Sequence, residues 1–275
     1  MAHPAFAPSN VALITGAASG IGLAIARLCA SHGMKLLLTD INGALLAEVA
    51  RTFTVPVEAV EMDVGDRGAW SLVKGKVDTV FGGRVDLLVL NAAIAPTVAW
   101  EDVDAFRKLF ETNVFGVLNG IAEFLPVLRD RPDPAARAIV IVGSKQGITN
   151  PPRNPAYNAS KSAIKSLAEH LSFDLRATPV SVHLLVPGWT YTGFMVAVGI
   201  TEKPAGAWTG DQVAERMAEY MKKGQFYIVC PDNDVTEETD NKRIAWAAGD
   251  LIEGRPALSR WREEWADRHK EFMEK

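Results

Sequence analysis

Two kinds of segment alternate along this chain. Short runs that are mostly apolar lie at 11–14, 35–40, 57–62, 85–90, 138–142, 180–186 and 225–230. Between them apolar residues recur at intervals of three and four, as in Ile21, Ala24, Ile25 and Leu28. Apolar strands that alternate with amphipathic helices indicate a parallel sheet covered on both faces. We therefore predict an α/β fold, a single-domain Rossmann-type doubly wound parallel sheet of about seven strands.

The same patterns predict helices at 43–52, 66–81, 156–177 and 209–223, and two helices or one bent helix at 101–129. Residues 189–208 show no clear period and are typical of a loop that closes over a substrate. From residue 231 the chain is charged and then amphipathic, with tryptophans at 246, 261 and 265. We expect a flexible N-terminus at 1–10, the main domain at 11–230, and a helical extension at 231–275 packed on this domain or on a neighbouring subunit.

Composition narrows the class of protein. The formal net charge of −4 over 275 residues gives no basic footprint for nucleic acid. No apolar run approaches the ~20 residues of a membrane span, and the N-terminus does not read as a signal peptide. The two cysteines, Cys29 and Cys230, are far apart and are expected to be buried thiols in a reducing compartment. A soluble cytoplasmic protein is the expectation.

A glycine-rich turn joins the first predicted strand to the first helix. It reads Thr15-Gly16-Ala17-Ala18-Ser19-Gly20-Ile21-Gly22. Glycine lets the backbone turn tightly and approach a pyrophosphate, whose charge lies over the helix N-terminus. A strand, a glycine turn and a helix in this order are the context of a phosphate-binding loop. The sequence therefore predicts a dinucleotide site at this turn.

Asp40 ends the second predicted strand, 18 residues beyond Gly22. An acid at this place can accept hydrogen bonds from both adenosine-ribose hydroxyls and would repel a 2′-phosphate, which favours NAD over NADP. The alternative is that Asp40 caps the N-terminus of the helix at 43–52.

Tyr157 and Lys161 are four residues apart in a predicted helix, so both side chains leave the same face. The ammonium favours the phenolate, which should lower the pKa of Tyr157 and make it a general base or acid near neutral pH. The alternative is that Tyr157 packs against the helix and Lys161 reaches solvent. Ser144 follows the fifth strand, at the edge where ligands of open α/β sheets bind, although serine is also a common turn residue.

Asn113 lies within the helical stretch at 101–129, between apolar neighbours. A helical asparagine competes with the backbone for hydrogen bonds. It is expected either to bind a water or displace a helix hydrogen bond, or to lie on a solvated stripe.

Together these features resemble the short-chain dehydrogenase/reductase family over about 11–230. The resemblance implies that Asn113, Ser144, Tyr157 and Lys161 are the catalytic tetrad and that the cofactor is NAD. Asp63 and Val64 match the pair that holds adenine, and Pro187-Gly188 with Thr190 and Thr192 matches the segment over the nicotinamide. The family's Asn-Asn-Ala-Gly turn is matched only in part by Asn91-Ala92-Ala93. The implied cofactor-binding residues are Thr15, Gly16, Ser19, Gly20, Ile21, Gly22, Asp40, Ile41, Asp63, Val64, Asn91, Ala92, Ala93, Tyr157, Lys161, Pro187, Gly188, Thr190 and Thr192.

The family mechanism assigns a role to each member of the tetrad. Tyr157 would take the hydroxyl proton while hydride passes to the nicotinamide, and Ser144 would hydrogen-bond the substrate oxygen. Lys161 would hold the nicotinamide ribose and keep the phenol acidic, and Asn113 would connect Lys161 to solvent through a water. We therefore expect an NAD-dependent secondary-alcohol dehydrogenase or ketone reductase. The alternatives are a catalytically idle NAD-binding regulator or scaffold, and an epimerase or dehydratase on the same fold.

The substrate pocket is expected to be hydrophobic or aromatic, with a matching alcohol or ketone as substrate. Lys145, directly after Ser144, is interpreted as solvated, with binding of a substrate carboxylate as the alternative. The family resemblance implies a homodimer or homotetramer, with which the small residues Ala156, Ala159 and Ala163 are compatible. The tryptophans of the extension would cover the active site, dock on a neighbouring subunit or pack on their own domain. The candidate substrate residues are Ile94, Ser144, Gln146, Tyr157, Trp189, Tyr191, Phe194 and Met195.

Overall fold

One parallel sheet organises the computed structural model of the chain, which describes residues 2–193, 195 and 199–275. Its strands run in the order β3-β2-β1-β4-β5-β6-β7, and every neighbouring pair is parallel. This confirms the predicted doubly wound α/β fold. The bounds are β1 Val11–Thr15, β2 Lys35–Asp40, β3 Val57–Glu61, β4 Leu87–Leu90, β5 Arg137–Val142, β6 Val180–Val186 and β7 Tyr227–Val229.

Helices cover both faces of the sheet. Helices α1, α2 and α8 contribute to one apolar cluster and α3, α5 and α7 to the other. No described helix has both the length and the apolar character needed to cross a membrane. The bounds are α1 Gly20–Ser31, α2 Gly43–Ala50, α3 Arg67–Phe81, α4 Val103–Phe110, α5 Gly116–Arg129, α6 Gln146–Thr149, α7 Pro155–Asp174, α8 Gly210–Lys222, α9 Glu237–Ile252 and α10 Ala266–Glu274.

Burial on both faces explains why the central strands read as unbroken apolar runs. In β1, Ala12 and Ile14 join the cluster that contains α1, whereas Val11 and Leu13 join the opposite cluster. Because successive strand residues point to opposite faces, a strand covered on both sides needs apolar residues at every position.

The stretch predicted as two helices or one bent helix is a continuous helical run with a π-helical turn at Glu111–Phe115, between α4 and α5. A π turn inserts one extra residue and changes the direction of the side chains around it. Asn113 lies inside this turn and is fully buried. The helix distortion expected at Asn113 is therefore present, and its position on a solvated stripe is excluded.

The strand order reverses direction between β1 and β4. In open α/β sheets this switch point opens a crevice at the carboxyl ends of the strands, where ligands bind. At the two ends of the predicted loop 189–208, the Trp208 N–H donates to the Trp189 carbonyl (2.8 Å) and the Tyr191 N–H donates to the Trp208 carbonyl (2.8 Å). The predicted loop is therefore pinned at its base.

A buried carboxylate fixes the opposite, amino-terminal edge of the sheet. Asp86 accepts hydrogen bonds from the Val11 N–H (2.9 Å), from Arg84 Nε (2.7 Å) and from Arg131 Nη2 (2.8 Å), and its side chain has no solvent exposure. It thereby joins the start of β1 to the approach to β4 and to the loop before β5.

Replacing Asp86 with Ala should lower the free energy of unfolding by about 3–5 kcal/mol, because two guanidinium groups and one backbone N–H lose a buried partner. Urea unfolding followed by far-UV circular dichroism measures the change. Asp104→Ala is the matched control, since Asp104 pairs with Arg107 but its side chain is 91% exposed, and its effect should be much smaller. Equal effects of the two substitutions would contradict the structural role given to Asp86.

Candidate functional site

A cleft of about 1620 Å³ lies at the carboxyl edge of the sheet and gathers most of the predicted site residues. Members of the glycine turn, of the β2, β4 and β5 ends, of α7 and of the 187–195 segment all line it. The predicted residues that line the cleft are Gly16, Ser19, Gly20, Ile21, Asp40, Ile41, Asp63, Val64, Asn91, Ala92, Ala93, Ile94, Ser144, Gln146, Tyr157, Lys161, Pro187, Gly188, Trp189, Thr190, Thr192 and Met195.

Five predicted residues do not belong to the described lining of the cleft. Thr15 and Gly22, the two ends of the glycine turn, are buried, and Asn113 is buried behind the cleft wall. The Tyr191 hydroxyl donates to the Thr201 carbonyl (2.7 Å), within its own loop. Phe194 lies outside the described residues.

The glycine turn has the backbone geometry that a phosphate site requires. Gly16 has a φ of +64°, and a Cβ added at Gly22 would lie 2.1 Å from the Gly16 carbonyl oxygen. Only glycine fits both places, so the turn folds tightly under the start of α1. Ser19, at the N-cap of α1, makes no side-chain capping hydrogen bond. The first N–H groups of the helix therefore remain available to an anion at the cleft.

Asn91 ties the end of β4 to this turn. Its Nδ2 donates to the carbonyls of Thr15 (2.9 Å) and Gly16 (3.1 Å), and the Thr15 hydroxyl oxygen accepts from the N–H groups of Asn91 (2.9 Å) and Ala92 (3.0 Å). The partial match of Asn91-Ala92-Ala93 to the family turn therefore leaves this connection in place.

Asp40 lies at the rim of the cleft with its carboxylate fixed by the backbone. Oδ2 accepts from the Ala18 N–H (3.0 Å) and Oδ1 from the Asn42 N–H (2.9 Å). The alternative role as the cap of α2 is wrong, because Asn42 is the N-cap and its side chain accepts from the Leu45 N–H (3.1 Å). Each Asp40 oxygen keeps further lone pairs that can accept ribose hydroxyls.

The interaction expected between Tyr157 and Lys161 differs from the one observed. The Lys161 ammonium is buried, donates to the Val142 carbonyl (2.8 Å) and lies 5.8 Å from the centre of the Tyr157 ring. Burial lowers the pKa of Lys161 to about 8. Burial also raises the pKa of Tyr157, and the Ser144 hydroxyl acts in the opposite direction. The lowered phenol pKa predicted from the sequence is therefore wrong for this structure, because desolvation of the phenol outweighs the hydrogen bond with Ser144.

Asn113 connects three segments behind the cleft wall. Its Oδ1 accepts from the Ile94 N–H (2.8 Å), and its Nδ2 donates to the Ile94 carbonyl (2.9 Å) and to Ser160 Oγ (3.1 Å). Ser160 in turn donates to the Tyr157 carbonyl (2.7 Å). The side chain therefore links the π turn, the segment after β4 and helix α7, and both its amide hydrogens have protein acceptors.

Lys145 is not solvated, so its interpretation from the sequence is wrong. Its ammonium lies 3.2 Å from Asp232 Oδ2 and 2.5 Å from Asp240 Oδ2, and its side chain is 15% exposed. Asp232 also accepts from the Trp189 N–H (2.7 Å). These contacts join the residue after Ser144 to the start of the C-terminal extension.

Of the residues that the extension contributes to the cleft, sequence reasoning named only Trp261, one of the tryptophans for which covering the active site was an expected role. It missed Asp232, Asp240, Arg243, Ile244 and Arg260. The sequence indicated the two aspartates only indirectly, through Lys145, because a lysine next to the site would need a carboxylate partner if it were buried. The extension contains many acids and gave no means of choosing among them.

Replacing Lys161 with Met should stabilise the protein at neutral pH. The pKa of Lys161 is about 8 in the folded chain and 10.5 ordinarily, so the cost of burying the charged form is fully present below 8 and disappears as the pH rises towards 10.5. The gap corresponds to about 3 kcal/mol, reduced by the loss of the hydrogen bond to Val142.

Urea unfolding at neutral pH and at about pH 9.5 tests this expectation. The wild type should gain stability with pH more steeply than Lys161→Met. Lys165→Met, on the same helix in a partly exposed pair with Glu169, should leave the pH dependence unchanged. A less stable Lys161→Met with the wild-type slope would contradict the expected cost of burying Lys161.

Known proteins resemble this chain over most of its length. The family model for short chain dehydrogenase matches residues 10–203. Sulfoacetaldehyde reductase 2 of Chromohalobacter salexigens is 36% identical over 192 residues, which cover 68% of this chain and 75% of that protein. The 1-deoxy-11-beta-hydroxypentalenate dehydrogenase of Streptomyces avermitilis is 29% identical over 248 residues, covering 86% and 90%. The crystal structure of a short chain dehydrogenase/reductase from Burkholderia phymatum in complex with NAD has a TM-score of 0.81 and 29% identity, over 90% of this chain and 96% of that one.

Proposed function

This chain belongs to the short-chain dehydrogenase/reductase family of oxidoreductases, which act on alcohols and ketones, and we propose that it transfers a hydride between NAD(H) and a hydrophobic or aromatic secondary alcohol or ketone. One observation carries the proposal. Ser144, Tyr157 and Lys161 line the same cleft as a glycine turn whose helix N-terminus is open to an anion.

The residues present fit a nicotinamide dinucleotide. The open N–H groups at the start of α1 suit a pyrophosphate, and the Asp40 carboxylate at the rim suits ribose hydroxyls. Asp63 and Val64 would hold the adenine, and Pro187, Gly188, Thr190 and Thr192 would hold the nicotinamide end. When bound, this cofactor supplies the carbon that gives or takes the hydride. The charge of Asp40 disfavours a 2′-phosphate, which is why we propose NAD.

Tyr157 would exchange the proton with the substrate oxygen. Because burial raises its pKa, the phenol is protonated at neutral pH and can donate a proton to a carbonyl oxygen during ketone reduction. In the direction of alcohol oxidation, the phenolate needs stabilisation by cations of the cleft, and Lys161 is the nearest one on its helix. Ser144 would hydrogen-bond the substrate oxygen, where charge develops. Asn113 would act as a positioning residue through Ile94 and Ser160.

We also propose that copies of the chain assemble across α7. Ala159 is exposed on this helix, and Phe173, on the same face, is 63% exposed. Small residues allow two helices to approach closely, and the exposed phenylalanine would be covered in a dimer or tetramer.

Tyr157→Phe should lower kcat by about 10²–10⁴-fold, because it removes the proton donor and keeps the ring. Turnover of a panel of ketones and alcohols is followed by nicotinamide absorbance, and NADH binding by fluorescence titration. Binding should be unchanged. Tyr227→Phe is the control, since the Tyr227 hydroxyl contacts Glu169 away from the cleft. Wild-type turnover by Tyr157→Phe would overturn the role given to Tyr157.

Asp40→Asn should reduce the preference for NAD over NADP by about tenfold or more, because it removes the charge that repels a 2′-phosphate, while the amide oxygen can still accept from one of the two backbone N–H groups. The ratio of kcat/KM values for the two cofactors measures this preference. Asp63→Asn serves as a comparison within the same cleft. If the ratio does not change in Asp40→Asn, Asp40 does not select the cofactor.

A further inference from the structure

Two arginines of the C-terminal extension line the substrate end of the cleft. Helix α9 contacts α6, which begins two residues after Ser144. Arg243 comes from α9 and Arg260 from the 3₁₀ turn Ser259–Trp261. Arg243 Nη1 lies 4.0 Å from Asp240 Oδ1, and the same Asp240 binds the ammonium of Lys145. This chain of contacts places the arginines beside the Ser144 segment, away from the Asp40 rim.

The charges of these arginines are not matched by close carboxylates. The Arg243 contact with Asp240 is long, and Asp240 already lies 2.5 Å from Lys145. Arg243 Nε is buried and has no hydrogen-bond partner among the described residues. Arg260 lies over the Trp261 ring, 4.5 Å from its centre, and forms no ion pair with any carboxylate of the described part of the chain.

A third arginine of the extension, Arg255, has close carboxylate partners. Arg255 lies 3.0 Å from Asp250, 3.5 Å from Glu253 and over the Trp246 ring, and donates to the Trp246 carbonyl. Two carboxylates of the extension neutralise this guanidinium, as expected of an arginine with a structural role, although its Nε, like that of Arg243, has no hydrogen-bond partner among the described residues. The contrast isolates Arg243 and Arg260 as cations directed at the cleft.

The local charge balance is positive. Lys145, Arg243 and Arg260 oppose Asp232 and Asp240, three positive groups against two negative ones. Burial and the neighbouring Arg243 both lower the pKa of Arg260, and Asp240 acts in the opposite direction. Like charges that approach each other in a partly buried place are unfavourable unless an anion lies between them.

We infer that Arg243 and Arg260 form a subsite for an anionic oxyacid group of the substrate, such as a carboxylate. A guanidinium fork binds two oxygens of such a group at once. Trp189 and Trp261, 46% and 44% exposed, supply apolar walls next to it. The substrate is then an apolar or aromatic alcohol or ketone that carries an anionic group, with its reacting carbon at Ser144 and Tyr157. This inference rests on the proposed function and narrows its substrate class.

Paired ketones test the subsite. The probes are para- and meta-acetylbenzoate, an aliphatic oxo-carboxylate, and the methyl ester of each. For at least one pair, wild-type kcat/KM should favour the acid over the ester. In Arg243→Gln and in Arg260→Gln this acid-to-ester ratio should fall about tenfold to a hundredfold, the range expected for loss of a charge-assisted hydrogen bond. Arg243→Lys should restore part of the ratio.

Arg268→Gln is the matched control, because Arg268 stands over Trp265 in the same extension and is not part of the described lining of the cleft. Its ratio should equal that of the wild type. Titration calorimetry of the acids into the NAD-loaded protein gives a readout that needs no turnover, and circular dichroism checks that each variant is folded.

The outcomes separate the two proposals. If calorimetry detects no carboxylate binding, or if binding and the acid-to-ester ratio are the same in the arginine variants as in the wild type, the subsite is overturned. If the variants instead lose affinity for NADH, the arginines serve the cofactor and the subsite is likewise overturned. If carboxylates bind through the arginines but neither acids nor esters are turned over, the subsite stands and the oxidoreductase proposal fails.

Discussion

The hydrogen bonds between Thr15 and Asn91 are the interaction on which the candidate site depends. At the ends of β1 and β4 the ladder stops, and the chain leaves the two strands in different directions. Thr15 Oγ1 accepts two N–H groups of the turn after β4, and Asn91 Nδ2 reaches back to the carbonyls of Thr15 and Gly16. Side chains thus continue the pairing that the backbone has ended, and they hold the glycine turn against the floor of the cleft.

This tie sets the place of the other groups. With the turn fixed, the start of α1 faces the cleft, and Asp40 is held by the N–H of Ala18 within the same turn. On the far side, Asn113 fixes Ile94, three residues beyond Asn91, and reaches α7 through Ser160. Two sets of hydrogen bonds, joined by the chain between Asn91 and Ile94, therefore connect the predicted phosphate end of the cleft to the helix that carries Tyr157 and Lys161.

Much of this arrangement was predictable from the sequence because it depends on local patterns. Unbroken apolar runs predicted the strands, and the spacing of the glycines predicted the turn. The helical spacing of Tyr157 and Lys161 predicted that both side chains leave the same face of their helix, and both line the cleft. The predictions that were wrong or incomplete concern contacts between distant parts of the chain. The carboxylate partners of Lys145 lie 87 and 95 residues further along the chain. The backbone of Ile94, which forms hydrogen bonds with Asn113, is also distant from it in sequence. A local sequence pattern shows neither contact.

The prediction of a lowered pKa for Tyr157 was wrong for a related reason. Spacing alone shows that a cation is near, but it does not show how much water the fold removes from both groups. Burial raises the pKa of the phenol and lowers that of the lysine, and Lys161 donates to Val142 instead of to the phenol. For this pair desolvation is the larger effect, so the charged states needed for catalysis depend on what else enters the cleft.

The C-terminal extension adds charge to a site whose chemistry belongs to the core. The family match ends at residue 203, whereas Asp240, Arg243 and Arg260 all lie beyond it. Asp240 is the link, because its ion pair with Lys145 attaches α9 to the residue after Ser144. Since Arg243 is one helical turn from Asp240, the contact that anchors the helix also directs the arginine to the cleft. If the proposed subsite is correct, a change in this extension would alter which substrates are accepted while leaving Ser144, Tyr157 and Lys161 in place.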